Sequence, residues 1–87
     1  MLSKEDIKKL AFDTIRQHSE ISIDDSTMDM DFIEYFEEDS LDIVEQCMEM
    51  EAQYGISLSY IEVKKCMTPR KLIDVVYSKV KEKELIN

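Results

Sequence analysis

The chain has 87 residues, of which 44% are apolar and 36% charged, a net charge of −9, one Gly, one Pro and no Trp. That length suits one domain, expected over residues 1–87, with one modest core and no separate catalytic domain. A single Gly excludes the phosphate-cradling loop and the dinucleotide fold, and the negative charge excludes nucleic acid and anionic membrane surfaces as partners.

So few turn formers in a chain rich in Lys, Glu, Ile and Met predict an all-α fold. The first thirty residues lack a basic start followed by an apolar run, and no stretch is long enough for membrane insertion, so a cytoplasmic monomer is expected. Cys47 and Cys66 form no C-x-x-C pair and are expected to be reduced core thiols.

Ser3 with Asp6 resembles a capping box, and Ile7, Leu10, Ala11, Thr14 and His18 then recur on one face, predicting a first helix over Lys4–Gln17. His18, the only histidine, falls at its end, where a capping or packing role is expected; no second base or metal ligand lies near it in sequence. The stretch from Ser19 to Asp39 has no sustained period, yet it carries Ile21, Ile23, Met28, Met30, Phe32, Ile33, Tyr35 and Phe36. A loop so apolar must pack across the helices. Its carboxylates do not fit a calcium loop: a start at Asp25 puts Met30 at the turn glycine and Phe36 at the bidentate Glu. No metal site is expected.

Asp39-Ser40-Leu41 marks the start of a second helix near Ser40, where either polar side chain suits an N-cap. This helix carries two apolar stripes about 160° apart. Leu41, Val44, Met48 and Ala52 form one, bordered by Asp42, Glu45, Glu49 and Glu51; Ile43, Cys47, Met50 and Tyr54 form the other, with Gln46 as a polar intruder. The second is the expected core face. The first is either a docking strip for a basic partner or the seat of the preceding loop. Gly55 ends the helix, Ser59 to Lys65 predicts a short third helix, and Thr68-Pro69 opens a fourth that presents Leu72, Ile73, Val75, Val76 and Val80. The run Lys81-Glu82-Lys83-Glu84 is expected to be a solvated, fraying end.

The sum is a small four-helix bundle with a long loop between helices one and two and a short third helix. With Phe32-Ile33-Glu34, Asp39-Ser40-Leu41-Asp42-x-Val44-Glu45, Met48, Glu51, Tyr54-Gly55-Ile56 and Met67-Thr68-Pro69, the pattern resembles the acyl carrier proteins over almost its whole length. The resemblance implies that Ser40 is esterified with 4′-phosphopantetheine from coenzyme A by a separate transferase, Asp39 and Leu41 flanking it. It implies a non-catalytic carrier of acyl thioesters in fatty-acid or related biosynthesis. Asp42, Val44, Glu45, Met48, Glu49 and Glu51 would be the surface read by basic patches on the phosphopantetheinyl transferase and on acyl-processing enzymes. Ile43, Cys47, Met50, Tyr54 and helix-four residues would line an acyl shelter.

The sequence departs from that pattern where the usual Asp-Leu-Gly becomes Tyr35-Phe36-Glu37 and where Gln46 replaces an inward apolar residue. These departures leave open a dedicated carrier of a specialised, polyketide-type pathway. A mitochondrial matrix carrier and an acidic helical interaction module without a prosthetic group also remain. A catalytic Ser40–His18 pair is not expected, because no nucleophile-elbow glycines flank Ser40.

Overall fold

Ser3 opens the first helix as a reciprocal cap: the Asp6 amide donates to Ser3 Oγ and the Ser3 amide to Asp6 Oδ2, each at 3.1 Å. The computed structural model describes residues 2–86, which form four helices: α1 (Lys4–His18), α2 (Ser40–Tyr54), α3 (Tyr60–Lys65) and α4 (Pro69–Ile86). α1 packs on α2 and α4, while α3 lies against α2 and α4. The first helix ends one residue later than its periodicity predicts, with the Ser19 amide still donating to the Ile15 carbonyl. Ile7, Ala11 and Ile15 are fully buried and Phe12 nearly so, which gives α1 its apolar stripe.

The long connection is pinned on both sides. Ile23, Met28, Phe32 and Phe36 enter the core, the two phenylalanines fully buried with ring centroids 5.9 Å apart. Burying each ring contributes about 1.5–3 kcal/mol. The backbone follows: the Phe32 amide donates to the Met67 carbonyl, Arg70 to Met28, Glu38 to Phe32, and Ser19 Oγ to the Phe36 carbonyl at 2.6 Å. The Arg70 guanidinium holds Asp29 through two bonds, 2.7 and 3.3 Å. A 3₁₀ turn at Asp25–Thr27, capped by Asp24, interrupts the loop; local Asp and Ser hydrogen bonding builds it without any apolar period to announce it.

Gly55 ends α2 in the left-handed conformation, φ 61°. Thr68 caps α4, accepting from the Lys71 amide, with Pro69 at the first helical position. The charged run Lys81–Glu84 is not a fraying end: α4 continues through it to Ile86. Its groups find partners on the bundle, Lys81 with Glu84 at 3.1 Å, Glu84 with the Leu2 amide, and Lys83 Nζ with the last carbonyl of α2, that of Tyr54, at 3.1 Å. Cys47 and Cys66 are free buried thiols, and Cys66 Sγ donates to the Glu62 carbonyl.

Glu37 is the one non-glycine residue with positive φ among those described, at 58°. It closes the Tyr35-Phe36-Glu37 stretch that departs from the resembled Asp-Leu-Gly pattern. A side chain in that conformation costs about 1–2 kcal/mol, partly offset in a Gly variant by the larger freedom of its unfolded chain. Glu37→Gly is expected to raise stability by about 0.5–1 kcal/mol, several degrees in melting temperature for a domain of this size, whereas Glu37→Ala leaves it nearly unchanged. Thermal and urea unfolding of the three proteins check this; an unchanged or lower midpoint for the Gly variant would show that the backbone there is unstrained.

Candidate functional site

The first turn of α2 is organised by two aspartates. The Asp42 amide donates to Asp39 Oδ1 and the Asp39 amide to Asp42 Oδ2, both at 2.9 Å, a capping box in which each carboxylate closes the other residue's orphan donor. The cap is therefore Asp39. Ser40, equally eligible from sequence, occupies the first helical position instead. Its side chain is exposed, and among the described residues its hydroxyl neither donates nor accepts a hydrogen bond. The amides of Ser40 and Leu41 likewise have no acceptor, so a free hydroxyl stands beside two unsatisfied N–H groups at the positive end of a helix dipole. An anionic phosphodiester fits such a place.

Beside Ser40 opens an apolar cleft of about 470 Å³ between α2 and α3, lined by Ile33, Ser40, Ile43, Val44, Leu58, Tyr60, Val63, Lys64 and Met67. This corrects the expected shelter: of Ile43, Cys47, Met50 and Tyr54, only Ile43 lines it. Cys47 and Met50 are buried in the core, and the space lies toward α3 rather than α4. Gln46, fully buried, is not among the lining residues, so its polarity does not enter the cleft. The lining from α3 and Met67 was not legible, because a six-residue helix has too few turns to declare which face it turns inward.

The first stripe of α2 is exposed: Leu41 at 62%, Met48 at 58% and Val44 at 39%. Only Ile33 of the preceding loop comes to the cleft edge with Val44. Glu45 and Glu49 flank the stripe and have no partner among the described residues. The other two acids are tied inward. Asp42 Oδ1 lies 3.0 Å from His18 Nδ1, and Glu51 Oε2 accepts the Leu58 amide at 2.7 Å, fixing the turn into α3. The amide of Asp39 and the imidazole of His18 hold the Asp42 carboxyl below its ordinary range. His18 thus packs at the end of α1, its sequence-predicted role, bridging to α2. His18 and Ser40 share no hydrogen bond.

Glu38 is the residue that sequence reasoning missed. It is only 4% exposed, neither carboxylate oxygen has a hydrogen-bond partner, and the neighbouring Gln46 amide is equally unsatisfied. Burial, reinforced by the charge of Asp42 and opposed by His18, raises its pKa to about 7. Nothing in an acidic loop distinguishes the one glutamate that faces inward.

No family model and no curated protein matches the sequence. Solved structures do match. The acetyl form of the actinorhodin acyl carrier protein from Streptomyces coelicolor superposes with a TM-score of 0.70 at 23% identity over 94% of each chain. The hexanoyl form of the carrier from that polyketide synthase gives 0.72 at 22% over the same shares. The oxytetracycline acyl carrier protein gives 0.67 at 24%, over 95% of this chain and 86% of its own. The chain has the acyl carrier protein fold. No described helix is long and apolar enough to cross a membrane.

The Glu38 shift has a definite sign. A carboxyl whose pKa is higher folded than unfolded favours the fold fully below about pH 4.5 and loses that advantage as pH rises through 7. Glu38→Gln, which mimics the protonated form, is expected to be near neutral at pH 5 and stabilising by about 1–3 kcal/mol at pH 8. Urea unfolding at both pH values checks it; a variant equally destabilised at both would mean that the carboxylate has a partner.

Proposed function

We propose that the protein is a non-catalytic acyl carrier, with Ser40 Oγ as the attachment point for 4′-phosphopantetheine from coenzyme A. The observation that carries this reading is the exposed, unbonded Ser40 hydroxyl at the first position of α2, beside two free amides and at the mouth of an apolar cleft. Asp39, by capping the helix in its place, leaves the serine free to react. When bound, the group supplies a thiol that carries acyl cargo as a thioester. The chain's own residues orient and shelter: Ile43, Val44, Leu58 and Val63 offer apolar surface to a cargo, while Tyr60 and Lys64 bring polar atoms to the same cleft.

Partner recognition falls to the exposed strip of α2. Leu41, Val44 and Met48 form its apolar centre and Glu45 and Glu49 its acid rim; Asp42 and Glu51 shape the surface from within rather than offering free charge. Partners are the phosphopantetheinyl transferase and acyl-processing enzymes with basic patches. The likeness to the actinorhodin and oxytetracycline carriers favours a polyketide-type pathway over general fatty-acid synthesis, as does the bulk and charge of Tyr35-Phe36-Glu37 upstream of the serine.

Incubation with coenzyme A and a broad-specificity phosphopantetheinyl transferase is expected to add the mass of one phosphopantetheine to the wild type and nothing to Ser40→Ala. An unchanged wild-type mass, or a gain that survives in Ser40→Ala, refutes the carrier reading. Reversing both rim charges, Glu45→Lys with Glu49→Lys, is expected to slow transferase turnover about tenfold with helicity intact. Equal turnover would remove the acid rim from recognition.

A further inference from the structure

The junction of α1 and α2 gathers more ligating atoms than the carrier reading uses. His18 comes from the last turn of α1, Asp42 from the first turn of α2, and Glu45 from the next turn of the same face. One histidine nitrogen and one oxygen from each carboxylate lie within 4.8 Å of one another, with His18 Nδ1 and Asp42 Oδ1 already 3.0 Å apart. A tetrahedral zinc ion with bonds of about 2.0–2.2 Å sets its ligands about 3.4 Å apart. Glu45 is the atom that must close the remaining distance; it is exposed and bonds to nothing among the described residues, so it moves in without breaking a contact.

A plain His18–Asp42 pair accounts for two of these groups and leaves a third observation unexplained. Glu38, more than nine-tenths buried, lies within electrostatic reach of Asp42 and His18 and beside the Gln46 amide, with neither oxygen in a well-formed hydrogen bond. A buried carboxylate so poorly bonded is costly, and a cation held nearby would offset that cost. The donor set selects the ion: calcium and magnesium take oxygen cages and gain little from imidazole, whereas zinc binds imidazole and carboxylate together.

We propose that His18, Asp42 and Glu45 form a binding site for a zinc-class divalent cation, with Glu38 as the buried carboxylate behind it. His18 ligates as the neutral ring through Nδ1, its remaining proton on Nε2, and three protein ligands leave one position for water. The ion ties the end of α1 to the start of α2 and withdraws Glu45 from the acid rim. The site goes beyond the carrier reading and does not rest on it.

Titration of the full, unmodified 87-residue chain with zinc chloride, followed calorimetrically and by the His18 ring-nitrogen NMR shifts, tests the proposal. One zinc per chain is expected, with the largest shift at Nδ1. Affinity is expected to fall at least about tenfold in Glu45→Gln and in His18→Gln and to stay unchanged in Glu49→Gln, and excess calcium is not expected to displace the zinc. Absence of saturable binding overturns the site. So does zinc binding that Glu45→Gln leaves at wild-type strength, or that calcium displaces at equal concentration, since either describes diffuse attraction to an acidic surface. His18→Gln removes a hydrogen bond and can perturb the fold; Glu45→Gln removes none, so its result decides where the first variant does not fold.

Discussion

Two oxygens of one side chain set the geometry where α1 meets α2. Asp42 accepts the Asp39 amide through one and meets His18 through the other. The first contact closes the capping box and so fixes where α2 begins; the second fastens that beginning to the end of α1. A carboxylate given a backbone N–H and an imidazole is held ionised, so the link survives where an ordinary surface acid would titrate. Ser40 is left with no structural duty because Asp39 and Asp42 between them discharge the capping role.

The same junction explains the cost next door. Glu38 must pass between the buried Phe36 and the cap at Asp39, and its amide is committed to the Phe32 carbonyl. With the backbone fixed at both ends, the side chain turns inward beside Asp42 and Gln46. Glu37 is forced to positive φ by the same constraint. A glycine there would relieve the turn. That strain and the orphaned carboxylate, one residue apart, lie shortly before Ser40, and local strain of this kind is common at functional sites.

What was legible in the sequence follows from how each element is held. α1, α2 and α4 declare themselves because caps and 3.6-residue periods are local signals: Ser3 with Asp6, Asp39-Ser40, Thr68 with Pro69, although only the structure shows that Asp42 closes the second cap. The two stripes of α2 were readable for the same reason, although only the fold shows that the preceding loop leaves Leu41 and Met48 uncovered. The end of α4 misled because alternating Lys and Glu read as solvated, while Lys83 and Glu84 in fact reach the Tyr54 carbonyl and the Leu2 amide, far away in sequence. His18 seemed to lack a second ligand for the same reason: Asp42, its partner, is 24 residues distant.

The division of labour along α2 is then a matter of helical angle. Cys47 and Met50 point into the buried core and hold the bundle together, while Ile43 beside them also reaches the cleft. Leu41 and Met48 point outward beside Glu45 and Glu49, so that face is left uncovered by the rest of the chain. Val44 lies between them, on the strip and on the cleft wall at once, one helical turn beyond Ser40. A partner pressing on the strip therefore presses on the wall of the cleft. The exposed strip and the space beside Ser40 are thus mechanically joined through that one side chain.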